Sequence, residues 1–282
     1  MATCYRHPGR ETGVSCSNCG KPICPDCMTV TSVGMRCPEC GRQTTKVRTI
    51  RSTANRGYEV TLALIGINVI AFLAEGGGAF TLTGPTGGSW LLNHGLLAAP
   101  YIRSAHALFQ IPAHEYYRIV TSGFLHLNLV HILSNMYVLY WVGRLLEPAV
   151  GRHRFVAIYF TGLLAGSLGV MIVSPNNATV GASGAIFGLM GAAFTEAHQR
   201  GADQVRNRLV LLIALNLLLT LSIPGISVGA HIGGLIGGGL ATLAFRQADR
   251  MRSPALGWAA CGALAVIAIV GSIVVANNTA LM

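Results

Sequence analysis

The chain has 282 residues, of which 52% are hydrophobic and only 11% are charged, and its mean hydropathy is +0.54. This composition excludes an ordinary water-soluble globular protein and indicates a polytopic membrane protein. The formal net charge of +10 would also suit a nucleic-acid-binding protein. However, the basic residues are spread through short segments between apolar runs, as orientation signals are. We therefore expect no nucleic-acid partner.

Seven of the eight cysteines lie in the first 40 residues; six form three pairs separated by two residues, and Cys4 has the same spacing to His7. With one histidine they give the candidate metal ligands Cys4, His7, Cys16, Cys19, Cys24, Cys27, Cys37 and Cys40. Zinc prefers such pairs, so the pattern predicts two structural zinc ions, whose binding would supply the folding free energy of so short a segment. A disulfide-linked exported domain is the alternative, but disulfides need no such spacing and leave His7 unexplained. The remaining cysteine, Cys261, is expected to be a small apolar side chain.

Composition also predicts the domain organisation. Residues 1–41 form the zinc module, 42–57 a basic linker, 58–245 a six-helix core, and 246–282 a second linker and a seventh helix. The predicted spans are 58–75, 122–143, 155–174, 182–198, 208–222, 228–245 and 256–276. The glycine-rich connection from about 76 to 118 carries aromatic residues that we assign to an interfacial belt, namely Trp90, Tyr101, Phe109, Tyr116 and Tyr117.

The basic residues predict the orientation of these spans. If the N-terminus is inside, all of the 20 lysine and arginine residues except Arg103 and Arg118 lie on the inner side. The zinc module is then in the reducing cytosol, where thiolates remain available to bind metal. We expect a multi-pass protein of the plasma membrane with a cytoplasmic N-terminus.

Polar side chains occur at the outer ends of three spans that run in the same direction. Ser183 opens the fourth span, His231 lies in the first turn of the sixth, and His126, His131 and Asn135 lie at the start of the second. Intramembrane histidines are energetically costly, which marks them as functional candidates. All five side chains are expected to share one level near the outer face.

These residues predict nucleophilic catalysis by a dyad. Ser183 is the candidate nucleophile and His231 its general base, since no carboxylate lies near that depth in the fourth or sixth span. The backbone N–H of Ser183 would donate to an oxyanion, and Gly181 would let the backbone approach closely. The candidate oxyanion and supporting residues are His126, His131, Asn135 and Gly181.

Less specific explanations exist for each part of this pattern. Small-residue runs such as the one around Ser183 often mark close helix packing, and intramembrane His and Asn side chains form hydrogen bonds between helices. A histidine cluster can also hold a metal ion, but neither a carboxylate nor a cysteine joins this one. None of these explanations accounts for all five side chains together.

The motifs resemble those of the rhomboid intramembrane serine proteases, over residues 58–245 with the seventh helix added. The matching positions are Gly181-Ala182-Ser183-Gly184, Ala230-His231 with Gly234 and Gly238, His126 with His131 and Asn135, Tyr117-Arg118, and Glu147. Tyr117 departs from the usual tryptophan, and Phe187 stands where some members have a tyrosine that packs under the histidine. Glu147 corresponds to a structural acid that follows the second span. The cysteine pairs resemble B-box zinc fingers, which implies interleaved pairing, although spacing alone also permits sequential pairing.

The resemblance implies an all-α membrane protein with a six-helix rhomboid-type bundle, a seventh helix and a cytosolic zinc module. It implies hydrolysis of peptide bonds within or next to transmembrane helices of single-span substrates in the lipid bilayer, with an active site near the outer face that contains no metal. The zinc module could recruit a cytosolic protein partner. An inactive rhomboid-like membrane adaptor that binds helices is the main alternative. A transporter or channel is a further alternative, although buried charged residues for ion coupling are scarce.

Overall fold

The structure is a computed structural model that describes residues 2–31, 34–42, 57–76, 89–99 and 115–278. It divides into two compact units, Met1–Ser52 and Thr53–Met282. Most of the predicted basic linker, residues 43–56, lies outside the described residues. The positions of Tyr101, Arg103 and Phe109 lie outside them as well.

The N-terminal unit contains two short antiparallel hairpins. Its elements are β1 (Ala2–Cys4) paired with β2 (His7–Thr12), β3 (Thr29–Thr31) paired with β4 (Gly34–Arg36), and α1 (Pro38–Arg42). Its buried cluster consists of six cysteines and Ile23. Because so little apolar surface is buried, the unit depends on its cysteines for a core. The all-α description therefore applies to the second unit alone.

The second unit is helical. Its helices are α2 (Glu59–Ala74), α3 (Trp90–Gly95), α4 (Arg118–Thr121), α5 (Leu129–Val150), α6 (Arg152–Val173), α7 (Ser183–Gln199), α8 (Asp203–Ser222), α9 (Val228–Arg250) and α10 (Pro254–Asn278). A helix lies at each of the seven predicted spans. Among the described residues, five helices, α5, α6, α8, α9 and α10, are long and apolar enough to cross a membrane. The other two are shorter, with 16 residues in α2 and 17 in α7.

The second predicted span begins later than expected. Residues Ser122–Phe124 form a 3-10 turn, and α5 starts at Leu129 because the Asn128 side chain accepts a hydrogen bond from the His131 N–H at 2.9 Å. His126 therefore precedes the helix. The expectation that it lies within the second spanning helix was wrong.

Helix α9 packs between α6 and α7 with very close backbone contacts. A Cβ atom on Gly234 or Gly238 would overlap the carbonyl oxygen of Gly184 or Gly188 on α7. Gly233, in contrast, meets the Ala165 carbonyl on α6. In lipid, such packing replaces the hydrophobic driving force that is available in water.

Two further predicted residues have structural roles. Glu147 lies within α5, not after it, and its carboxylate accepts hydrogen bonds from the N–H groups of Val60 and Thr61 at 3.0 and 2.8 Å. It therefore caps the N-terminus of α2. Cys261 is buried in α10 with its Sγ 3.0 Å from the Thr161 hydroxyl oxygen, as expected for a small core side chain.

Tyr117 and Arg118 are described as well. The guanidinium of Arg118 is buried and donates to the Glu115 carboxylate at 2.6 Å and to the carbonyls of Asn93 and Leu96 at 2.8 and 3.1 Å. The Tyr117 hydroxyl donates to the same carboxylate at 2.7 Å. These bonds connect α3 to α4 and fix the segment before the 3-10 turn.

One end of the unit is rich in charged residues. Arg154 on α6 forms a bidentate ion pair with Asp249 on α9, at 2.7 and 2.6 Å. Arg200 and Arg246 both contact the Glu196 carboxylate of α7. This charged end lies at the C-terminal ends of α7 and α9. The opposite ends of these two helices carry the predicted nucleophile and base.

The contact between α7 and α9 generates a prediction. The Gly238→Ala variant must push the Gly188 carbonyl away and should lose about 1 to 3 kcal/mol of stability. Gly262→Ala on α10 is a matched control, because no heavy atom lies within 4 Å of its Cβ position. Thermal unfolding in detergent should show a lower midpoint for Gly238→Ala alone. Equal midpoints for the two variants would contradict the close contact.

Candidate active site

Ser183 is the first residue of α7, and the turn before it requires glycine. Gly181 has a φ of +127°, which side-chain-bearing residues rarely adopt, and its N–H donates to the Ser122 carbonyl at 2.9 Å. A Cβ atom there would lie 2.8 Å from the His131 Nε2 and 3.8 Å from the Ser183 Oγ. The absence of a side chain at Gly181 therefore lets the His131 ring approach the backbone next to Ser183. The position of the missing Cβ, between these two side chains, is called the Gly181 space.

The N-terminus of α7 supplies backbone donors beside this space. The first regular helical bond of α7 runs from the Ile186 N–H to the Ala182 carbonyl, at 3.0 Å. The N–H groups of Ser183, Gly184 and Ala185 precede it and have no acceptor one turn earlier in the helix. Together with the helix dipole they favour negative charge at this end.

His231 lies in the first turn of α9 and is 6% exposed. Its ring stacks on the Phe187 ring, with centroids 4.1 Å apart and planes 13° apart, as the family resemblance implies. Phe187 follows Ser183 by four residues and so lies on the same face of α7. A Cβ atom on Gly184 would lie 3.8 Å from the Cβ of Ala230, so the neighbours of the two candidate residues are also in contact.

The hydrogen bonds of His131 determine which of its ring nitrogens carries the proton. Its Nδ1 accepts from the Leu127 N–H at 3.4 Å, so the ring proton lies on Nε2, the atom next to the Gly181 space. Asn135 donates one of its two amide hydrogens to the His131 carbonyl at 2.8 Å. The His131 Nε2–H is therefore a donor beside the missing Cβ of Gly181, whereas Asn135 retains one amide hydrogen.

His126 has a different position from the one expected. It is 0% exposed, its backbone N–H donates to the Glu75 carboxylate at 3.1 Å, and its ring lies 5.0 Å from the His131 ring. Neither ring nitrogen has a hydrogen-bond partner in the part of the chain that the structure describes. His126 thus supports His131 by packing.

One contact of the site was missed by the sequence analysis. The hydroxyl oxygen of Thr220 on α8 lies 2.7 Å from the His231 Nδ1. The sequence offers a weak signal for it, a lone threonine near the outer end of a leucine-rich span. No hydrogen bond joins Ser183 to His231 among the described residues.

The N-terminal unit brings its eight predicted ligands into two clusters. Each cluster has four ligand atoms within 4.8 Å of one another. The clusters are Cys4, His7, Cys24 and Cys27, and Cys16, Cys19, Cys37 and Cys40. The pairs therefore interleave, as the resemblance to B-box fingers implies, and the sequential alternative is wrong.

The cluster geometry fits a tetrahedral metal ion. The His7 Nδ1 lies 3.4 Å from the sulfur atoms of Cys24 and Cys27, and the sulfur atoms of Cys19 and Cys37 are 3.8 Å apart. A tetrahedron with metal–sulfur bonds of about 2.3 Å has edges of about 3.8 Å. Burial raises the pKa of the Cys27 thiol to about 11, so a cation is what would make such a thiolate stable at neutral pH.

Comparison with known proteins identifies the helical unit. Residues 113–248 match the family model described as the Rhomboid domain. The chain is 35% identical over 133 residues to "Rhomboid protease GluP" of Bacillus subtilis (strain 168), covering 46% of this chain and 26% of that protein. It is 34% identical over 161 residues to "Rhomboid-like protease 5" of Toxoplasma gondii, covering 51% of this chain and 19% of that protein.

A plant relative, "RHOMBOID-like protein 1" of Arabidopsis thaliana, is 33% identical over 137 residues, covering 47% of this chain and 35% of that protein. The matches thus span about a third or less of these three relatives. The residues matched by the family model include Ser183 and His231. The chain therefore matches the Rhomboid domain over residues 113–248, and it has homologues that are named rhomboid proteases.

Proposed function

We propose that this protein is an intramembrane serine endopeptidase. Its substrates are single-span membrane proteins, which it hydrolyses within or next to their transmembrane helices. The observation that carries the proposal is the meeting of three elements at one end of the bundle: the Gly181 turn before Ser183, the His131 donor, and His231 stacked on Phe187. A helix-binding adaptor would need none of these polar groups in this arrangement.

In the acylation step, the Ser183 hydroxyl attacks the scissile carbonyl carbon, and the His231 Nε2 takes up the hydroxyl proton. The tetrahedral intermediate then expels the amine, which receives this proton from His231. The peptide C–N bond breaks and an ester to Ser183 forms. In apo enzymes the hydrogen bond between nucleophile and base is often long and tightens with substrate, which accommodates the absence of a Ser183–His231 bond among the described residues.

The oxyanion of this intermediate needs donors that are already in place. The Nε2–H of His131 and the free N–H groups at the start of α7 lie around the Gly181 space. Asn135 adds its remaining amide hydrogen. Removing one such donor typically costs about 10²- to 10³-fold in kcat.

Deacylation requires water within the membrane-spanning unit. Water attacks the acyl carbon of the Ser183 ester and gives a proton to His231. The ester C–O bond then breaks, His231 returns the proton to the Ser183 oxygen, and the carboxylic acid product leaves. Side chains and backbone donors account for every step, so the active site needs no metal ion. A helical substrate must also unwind locally, because its scissile carbonyl is otherwise bonded within its own helix.

We also propose the orientation of the protein in the plasma membrane. The charged end contains Arg154, Arg200 and Arg246, and positive residues favour the cytoplasmic side. The N-terminus would then be cytoplasmic, and the opposite end, with Ser183 and His231, would lie near the outer face.

The N-terminal unit is proposed to bind two structural zinc ions. Three thiolates and one imidazole, or four thiolates, at tetrahedral spacing are donor sets that zinc prefers. A small cytosolic module of this kind would leave its outer surface free for a protein partner.

The catalytic proposal predicts that Ser183→Ala and His231→Ala each abolish cleavage of a model single-span substrate in proteoliposomes, because each removes a reacting group. Ser222→Ala is the matched control, since Ser222 is exposed on α8 and its hydroxyl bonds only to the Leu218 carbonyl. Its cleavage rate should equal that of the wild type. Cleavage that survives in Ser183→Ala would exclude the proposed nucleophile.

The metal proposal predicts two zinc ions per chain by elemental analysis of the purified protein. Cys24→Ala and Cys37→Ala, one in each cluster, should both hold less zinc because each leaves a cluster with three ligands. Cys261→Ala is the control and should keep both ions. Wild-type protein without zinc, or ligand variants with a full complement, would refute the assignment.

A further inference from the structure

Thr220 makes a buried contact with the candidate base. The Thr220 hydroxyl oxygen and the His231 Nδ1 are 2.7 Å apart, and the two residues are 3% and 6% exposed. A hydrogen bond this short between two buried groups fixes the orientation of both. It joins α8 to α9 at the level of the site.

The direction of this bond follows from the other bond of Thr220. A hydroxyl has one hydrogen, and the Thr220 hydroxyl oxygen lies 2.7 Å from the Asn216 carbonyl one turn earlier in α8, which can only accept. The hydroxyl therefore accepts a hydrogen bond from the His231 Nδ1–H. The neutral imidazole then carries its proton on Nδ1, and its Nε2 keeps a free lone pair.

We propose that Thr220 is a positioning residue that holds His231 in the tautomer and the orientation required of a general base. The inference rests on the proposed function, because it concerns the same dyad. Thr220 takes the place that a carboxylate has in a serine protease triad, but as a neutral acceptor. It does not touch the reacting atoms and acts only through His231.

The other contacts of His231 do not perform this task. The Phe187 ring stacks on one face of the imidazole and limits its tilt, but it offers no acceptor for Nδ1–H. Ring stacking alone permits a rotation that exchanges the two nitrogens. The Thr220 oxygen distinguishes them, since only a ring with Nδ1 toward α8 satisfies the buried hydroxyl.

The location of Thr220 makes the contact specific. Leu209 and Thr220 are the only buried residues of α8. Inside the protein, 11% of the apolar stretch of α8 is buried, whereas 50% of the apolar stretch of α9 is buried. Most of α8 is not packed against other helices, so a buried polar side chain on it is unusual. The hydrogen bond to His231 explains why a threonine is buried at this position.

The test compares Thr220→Val with Thr220→Ser in the full-length protein. Valine keeps the shape and removes the acceptor, so kcat for the model substrate should fall roughly 10- to 100-fold, part of the 10²- to 10⁴-fold that acid–base catalysis contributes. KM should change little, because Thr220 does not contact substrate. Serine retains the hydroxyl and should restore most of the rate.

A second measurement distinguishes an effect on the orientation of His231 from an effect on substrate binding. An alkyl fluorophosphonate reacts with an activated serine, forming an O–P bond to Ser183 and releasing fluoride. Its labelling rate should fall in Thr220→Val to the same extent as kcat. The control for loss of a buried hydroxyl is Thr242→Val on α9, since Thr242 is 2% exposed and its only hydroxyl bond within the described ranges goes to the Gly238 carbonyl at 2.9 Å.

Thr220→Val with wild-type kcat and labelling would overturn the inference, and so would an equal loss in Thr220→Ser and Thr220→Val. A loss in Thr220→Val that serine restores, with Thr242→Val unaffected, supports it. Failure of the proposed function itself gives a different result, because the wild type would then not cleave the model substrate, or Ser183→Ala would still cleave it.

Discussion

The candidate site depends on the near absence of side chains between α7 and α9. Gly184 and Gly188 on one helix meet Gly234 and Gly238 on the other, with backbone atoms in direct contact. Since a membrane offers little hydrophobic driving force between helices, dispersion across this contact holds the pair together. The contact begins one residue after Ser183 and three residues after His231. The helix pairing thus places Ser183 and His231 at the same end of the bundle.

Hydrogen bonding then gives the two histidines of the site opposite roles. The Nδ1 of His131 accepts from the Leu127 N–H, so the Nε2–H of that ring remains a donor. The Nδ1–H of His231 donates to the Thr220 oxygen, so the Nε2 of that ring remains an acceptor. Both rings belong to the same residue type and are at least half buried. Their difference arises from one backbone group and one hydroxyl, neither of which belongs to the motifs that mark the site.

The sequence predicts the parts of this structure that carry strong local signals. Apolar runs predict a helix at all seven spans, and the cysteine spacing predicts the eight ligands of the two clusters, whereas their interleaved pairing follows only from the resemblance to B-box fingers. Polar residues inside spans mark Ser183 and His231 as candidates. It does not predict features that depend on a distant partner. Asn128 starts α5 later than hydropathy suggests, and Glu147 is recognisable as a cap only when α2 is packed beside it. Thr220 resembles any threonine in an apolar helix until its neighbour is known.

The interleaving of the two metal clusters has a consequence for how the N-terminal unit forms. Each cluster takes one ligand pair from the first half of the unit and one from the second. The ion that binds first therefore orders chain segments on both sides of the vacant cluster and reduces the conformational entropy that the next ion must overcome. Loading is expected to be cooperative, with few chains holding a single ion.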